Sequence, residues 1–201
     1  QKQPREDLLP SAQLLLLHFI YGGTKELPSS QAAKDLKLTA TSISRASRQL
    51  EEMGLLQIKK AGVQKILLSE DPPEVLFQKA EEKLLNPVKR TVYVPKEYIG
   101  ADMLVSGYSA LAEYSMLSAP AVKCYATDKI SQWKNVMTNR LQDSKAQVAV
   151  EMWRYDPRIL ATRHSVDELS LVLALKNDAD ERVEQAVEEL LSEVWRKIDG
   201  Y

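Results

Sequence analysis

Apolar residues recur at three- and four-residue steps through 40–53, at Ile43, Ala46, Leu50 and Met53, and this spacing predicts an amphipathic helix. Thr39 stands where an N-cap belongs, and Gly54 follows where a left-handed residue closes a helix. A shorter helix holding Ala32, Ala33 and Leu36 is predicted upstream, capped by Ser29 or Ser30. Only Lys37 and Leu38 separate the two, so they must cross sharply. Beyond Gly54 the period changes: Leu56 and Ile58 alternate with Gln57 and Lys59, Ala61 and Gly62 supply a turn, and 63–68 is a second β-rich run. With the leucine-rich helix that precedes it and carries His18, this order predicts a winged helix-turn-helix.

The later pattern is more mixed. Asp71-Pro72-Pro73 ends the first region, and Leu76, Phe77, Ala80, Leu84 and Val88 predict a linker helix. Runs at 90–94, 122–127 and 147–153 read as strands, and 106–117 and 130–141 as helices. Ser165 with Glu168, and Asp178 with Glu181, have capping-box spacing before two closing helices. The last carries Val183, Ala186, Val187, Leu190, Leu191, Val194, Trp195 and Ile198 as one stripe, a face expected to cover the domain's own sheet. The expected class is therefore α+β, with a winged-helix domain over 1–70, a linker helix over 71–90 and a mixed α+β accessory domain over 91–201.

If Ile43, Ala46 and Leu50 face a core, the helical period turns Thr41, Ser42, Ser44, Arg45, Arg48 and Gln49 outward. None of these is acidic, and Glu51 and Glu52 fall at the far end. Arginines offer paired donors that match the major-groove edge of guanine, and serine and threonine serve bases or phosphate. With the cap Thr39 and the ribbon residues Lys59, Lys60 and Lys65, these ten form the candidate DNA-binding set. Charge supports the choice. Across 30–68 seven basic residues (Lys34, Lys37, Arg45, Arg48, Lys59, Lys60, Lys65) face three acidic ones (Asp35, Glu51, Glu52), a net of +4, whereas 165–201 carries four basic and ten acidic residues, a net of −6. The overall net of −1 hides a basic front and an acidic tail, as expected of a chain that meets nucleic acid with one end.

Through LPSAQLLLLHFI, TATSISRASRQLEEMGLL and IKKAGVQKILL, residues 8–69 resemble the winged-helix domains of MarR-type bacterial transcriptional regulators. The resemblance implies binding of double-stranded DNA by a homodimer, with the third helix as reader and the ribbon on the backbone. The ribbon departs from that pattern, because its tip is only Lys59-Lys60-Ala61-Gly62. SGYSALAEYSML, EMWRYDP, VDELSLVLAL and DERVEQAVEELL resemble segments of bacterial regulators grouped with abortive-infection antitoxins. That likeness implies an alternative, an interaction module whose C-terminal domain holds a nucleotidyltransferase-like toxin or another partner protein. Related proteins extend further upstream, and a chain that opens on Gln1 is expected to lack such residues.

The residues argue against an enzyme. His18 and His164 lie far apart in sequence, and Cys124 has no partner motif, so no metal site is expected. Gly107-Tyr108-Ser109-Ala110-Leu111 lacks the final glycine of a nucleophile elbow, Ser131-Gln132-Trp133-Lys134 lacks its companion motifs, and no phosphate-binding G-x-x-x-x-G-K occurs. No cofactor is expected. Trp153, Arg154, Tyr155, Asp156 and Arg158 read as an aromatic anchor at a strand-to-turn junction, and His18 as a packing residue. No apolar run is long enough to cross a bilayer, and a single cysteine excludes an internal disulfide, as suits a cytoplasmic protein.

Overall fold

A computed structural model describes residues 6–200 as an α+β fold with two separate sheets. The chain divides into two compact units, one holding everything up to Leu85 together with the segment from Trp195, the other holding Asn86–Val194.

In the first unit, α1 (Pro10–Gly22) starts on a proline, whose missing N–H is no loss in a first helical turn, and closes on Gly23 in the left-handed region. Leu14, Leu15, Leu16 and Leu17 are all buried, so this helix is enclosed rather than one-sided, and it packs on three others. These are α2 (Ser29–Leu36), α3 (Ala40–Glu52) and α4 (Pro73–Ala80). The strands β1 (Glu26–Pro28), β2 (Gln57–Ala61) and β3 (Gln64–Leu68) form an antiparallel sheet in the order β1-β3-β2. Gly62 takes φ +66° in the β2–β3 turn, a conformation that only glycine adopts without strain.

Two details here differ from the sequence reading. α2 has Pro28 at its cap and no side-chain cap bond, so neither Ser29 nor Ser30 plays that part; both lie inside the helix. The apolar stripe from Leu76 does not continue to Val88 on one helix. After α4 comes a single tight turn over Glu81–Lys83, and Val88 already begins the next strand. Leu76, Phe77 and Ala80 are buried within the first unit, where the Phe77 ring meets Trp195 edge to face at 5.4 Å. The segment 71–90 is thus divided between a helix of the first unit and a strand of the second.

The second unit is built on a four-stranded sheet, β4 (Val88–Pro95), β5 (Leu104–Val105), β6 (Cys124–Thr127) and β7 (Gln147–Trp153), in the order β4-β7-β6-β5. β6 and β7 run parallel, and the other neighbours antiparallel. One side of it buries Val92, Val94, Val148 and Val150 with Ile130 and Trp133. The helices are α5 (Gly107–Tyr114), α6 (Glu168–Leu175) and α7 (Glu181–Ile198), the last contributing its final residues to the first unit.

The helix expected over 130–141 is absent. Ile130 and Trp133 are drawn into the core by one 3-10 turn, Ser131–Trp133, and Thr138 then exchanges both backbone hydrogen bonds with Tyr93. Pairing to the strand satisfies the peptide groups that a helix would otherwise have bonded internally. Both capping boxes are displaced. α6 is capped by Asp167, which accepts from Ser170 N–H at 3.0 Å, because the Ser165 hydroxyl is bound to Glu113. At α7 the Asp180 carboxylate accepts from Arg182 N–H at 2.9 Å, while Asp178 receives the Tyr108 hydroxyl. Among the described residues no helix is long and apolar enough to cross a membrane.

Candidate nucleic-acid interface

α3 forms where the apolar spacing places it and buries Ile43, Ala46, Ser47 and Leu50. Its N-terminus is fixed by Thr39, whose Oγ1 accepts from Ser42 N–H at 3.1 Å and donates to Ser42 Oγ at 3.0 Å. Thr39 and Ser42 are therefore engaged with one another. At the other end, Glu51 accepts from Ile58 N–H at 3.1 Å and ties the helix to the start of β2.

Thr41, Arg45 and Arg48 are exposed, and Ser42, Ser44 and Gln49 half-buried. Gln49 has structural duties: its Oε1 accepts from Leu9 N–H at 2.8 Å, and its Nε2 donates to the Asp7 carbonyl at 3.3 Å. Its amide holds the entry to α1 against α3 and is not directed to solvent. The sequence pattern could not show this, since the bond spans 40 residues. Ser44 faces a groove of about 320 Å³ between the helices and the hairpin, floored by Ile43, Ile58 and Leu67 and edged by Lys65.

Neither the Arg45 nor the Arg48 side chain makes a hydrogen bond or ion pair with another described residue, and the same is true of the side chains of Lys59, Lys60 and Lys65. Lys60 and Lys65 stand directly opposite each other across the β2–β3 ladder. Facing side chains of like charge destabilise a hairpin. On that same face, two residues further along each strand, come Ile58 and Leu67, so the two ammonium groups continue the surface that borders α3. Lys59 lies on the reverse face, opposite Ile66. Thr41, Arg45 and Arg48 thus lie on the exposed side of α3, Ser44 and Lys65 line the groove beside it, Lys60 faces Lys65 and Lys59 lies on the reverse of the hairpin, while Gln49 is held by the segment before α1.

Elsewhere the candidate residues are occupied in packing. His18 Nε2 lies 3.1 Å from Asp35 Oδ2 and joins α1 to α2. Trp153 and Tyr155 are buried edge to face at 5.8 Å, the Tyr155 hydroxyl bonds Ser170, and Arg158 grips Asp156 through two nitrogens. Among the described residues no group of three or more His, Cys, Asp or Glu side chains could hold a metal ion.

One ionisable group in the second unit escaped the sequence reading. Glu151, on β7, accepts from Ser106 Oγ at 2.5 Å and from Trp153 Nε1 at 3.2 Å. Burial pushes its carboxyl up from the ordinary value of 4.5, with hydrogen bonds from Ser106, Trp153 and Cys124 pulling the other way. Burial and the neighbouring Glu151 push the Cys124 thiol up in turn. Gly107, at φ +55°, closes over both: a Cβ there would lie 3.0 Å from the Cys124 sulfur. An acid within the run VAVEMW, whose other residues are apolar or aromatic, is the available signal.

Comparison with known proteins returns no matching family model, no matching curated protein and no matching solved structure.

Proposed function

We propose that this chain is a sequence-specific DNA-binding transcriptional regulator acting as a repressor, with residues 8–69 as a winged helix-turn-helix and α3 as the reading helix. The observation that carries the reading is the pair Arg45 and Arg48, adjacent on the exposed side of α3 and unengaged by any described residue. Guanidinium groups are normally paired where a partner is within reach, and a planar donor left open at a basic surface fits guanine edges or phosphate. Support also comes from the lysine pair on the hairpin, whose mutual repulsion a line of phosphates relieves.

In this mechanism Arg45, Arg48, Thr41 and Ser44 lie in the major groove, and Lys59, Lys60 and Lys65 meet the backbone. Thr39 and Ser42 keep the first turn of the reader in shape, and Gln49 keeps the reader seated on the segment before α1. A homodimer places two reading helices in successive major grooves about one helical turn apart and excludes polymerase by occupancy.

Salt is the test. With up to five basic side chains from each of two copies at the interface, affinity for duplex DNA falls by about a thousandfold to a hundred-thousandfold between about 50 and about 200 mM salt, according to how many of them meet phosphate. A titration with fluorescent duplexes from the upstream intergenic region measures it. No binding at the lower salt, or an affinity independent of salt, overturns the reading.

A further inference from the structure

The chain enters α1 at a fixed point beside α3. Leu8 is buried, and its N–H donates to the Lys83 carbonyl at 3.0 Å. On either side of it Gln49 holds the backbone, accepting from Leu9 N–H at 2.8 Å and donating to the Asp7 carbonyl at 3.3 Å. By the helical period, Gln49 and Ser44 fall on opposite flanks of the exposed strip made by Thr41, Arg45 and Arg48. Ser44 faces the groove toward the hairpin, so α3 has the hairpin along one side and the segment before α1 along the other. The hairpin carries Lys59, Lys60 and Lys65 on its side. On the Gln49 side α3 itself presents only Ser42 and Gln49, and neither is cationic. The next cations up the chain are Arg5 and Lys2, two and five residues before Asp7.

We propose that residues 1–5 are a basic DNA-contacting arm, whose Arg5 and Lys2 meet the phosphate strand on the far side of the groove from the hairpin. This rests on the DNA reading above. A helix lying in the major groove has a phosphate strand on each side of it, and contacts to phosphate fix the register and orientation of a docked protein. The hairpin lysines serve one strand, and the arm supplies the matching charge for the other. Reach suffices: at full extension Arg5 lies up to about 7 Å and Lys2 up to about 17 Å from Asp7, against a groove about 12 Å wide. Glu6 and Asp7 stand exposed at the exit, where like charge keeps them off the backbone, so the contact begins at Arg5. Gln49 is then a positioning residue. It touches no DNA and sets the place from which the arm departs.

Titrations of the full chain with the intergenic duplex, from about 50 to about 200 mM salt, test it. Lys2→Ala combined with Arg5→Ala is expected to lower the salt slope by about four, two phosphate contacts being lost from each copy of a dimer, and to weaken specific and scrambled duplexes alike. Neutral methylphosphonates, placed on one strand at a time, locate the contact. The hairpin strand is the one whose modification loses its effect in Lys60→Ala; modification of the opposite strand is expected to weaken wild type about threefold or more beyond its effect on the double variant. In a Gln49→Ala background the cost of removing the two cations is expected to shrink by about threefold or more, a coupling that a merely structural glutamine does not produce. The double variant should melt with wild type; one that melts well below it overturns the proposal, since the cations are then holding the fold. A wild type that binds with steep salt dependence, matched in slope and affinity by the double variant, overturns the arm and leaves α3 as the reader. Loss confined to the preferred sequence, or no coupling to the far strand, overturns the phosphate contact, and no coupling to Gln49→Ala overturns its positioning role. A wild type that binds no duplex removes the DNA reading and the arm together.

Discussion

Arg45 and Lys60 are both exposed cations, but they sit on different kinds of element. Arg45 lies on a helix face with Thr41 and Arg48, and Lys60 on a hairpin strand against Lys65; in the proposed complex the first enters a groove and reaches base edges, and the second meets phosphate. Arg45→Ala is therefore expected to lower the affinity for the preferred sequence by about tenfold to a hundredfold while leaving binding to unrelated DNA nearly unchanged, since a good base contact is worth about 1–3 kcal/mol of discrimination. Lys60→Ala should weaken both to the same degree and reduce the salt slope by about two, one phosphate contact being lost from each copy of the dimer. Paired titrations against specific and scrambled duplexes distinguish the two, and the opposite pattern would exchange the roles. Gln49 shows the limit of judging side chains by helical period alone. It falls on the polar side of α3, as do the arginines, yet its amide is committed to Asp7 and Leu9, and only the three-dimensional neighbour reveals that.

At the level of elements, legibility tracked how local the determining forces are. α3 was readable to within a residue because its cap, its stripe and its stop all lie inside the segment. The hairpin was readable for the same reason, through alternation and Gly62. By contrast the 130–141 segment has helical spacing, but pairing of Thr138 with Tyr93, 45 residues away, decides its conformation, and no local signal encodes that pairing. The caps of α6 and α7 were misplaced because two or three polar residues compete at each start; Ser165 and Asp178 had tertiary partners that took them out of the competition. β1 and β5, of three and two residues, are too short to show a period. Glu151 gives the second sheet a measurable pH response. Its carboxyl titrates above the ordinary value of 4.5 in the folded chain, so the native state binds the proton more tightly than the unfolded one. That contribution is complete below the unfolded value and is lost as pH rises through the folded one. Glu151→Gln cannot ionise and keeps an acceptor for Ser106 and Trp153. Its stability relative to wild type is expected to rise from about pH 4 to about pH 8 in denaturant melts, by about 1.4 kcal/mol for each unit by which the wild-type group is displaced. A difference that is flat or falling over that range would show that Glu151 is ionised without penalty in the fold.

For the whole molecule, the division into two compact units confines the proposed DNA contact to one of them. Arg45, Arg48 and the hairpin lysines all belong to the first unit. The charge asymmetry of the sequence has the same division, a net of +4 across 30–68 against −6 across 165–201. The most direct measurement of the central claim, that α3 and the hairpin are the DNA-contacting elements, is hydrogen–deuterium exchange of the full chain with and without saturating duplex DNA. Slower exchange is predicted across α3 and across β2 and β3, with Asn86–Val194 showing no comparable protection. Unchanged exchange in α3 and the hairpin under saturating DNA, or protection confined to the second unit, would contradict the account.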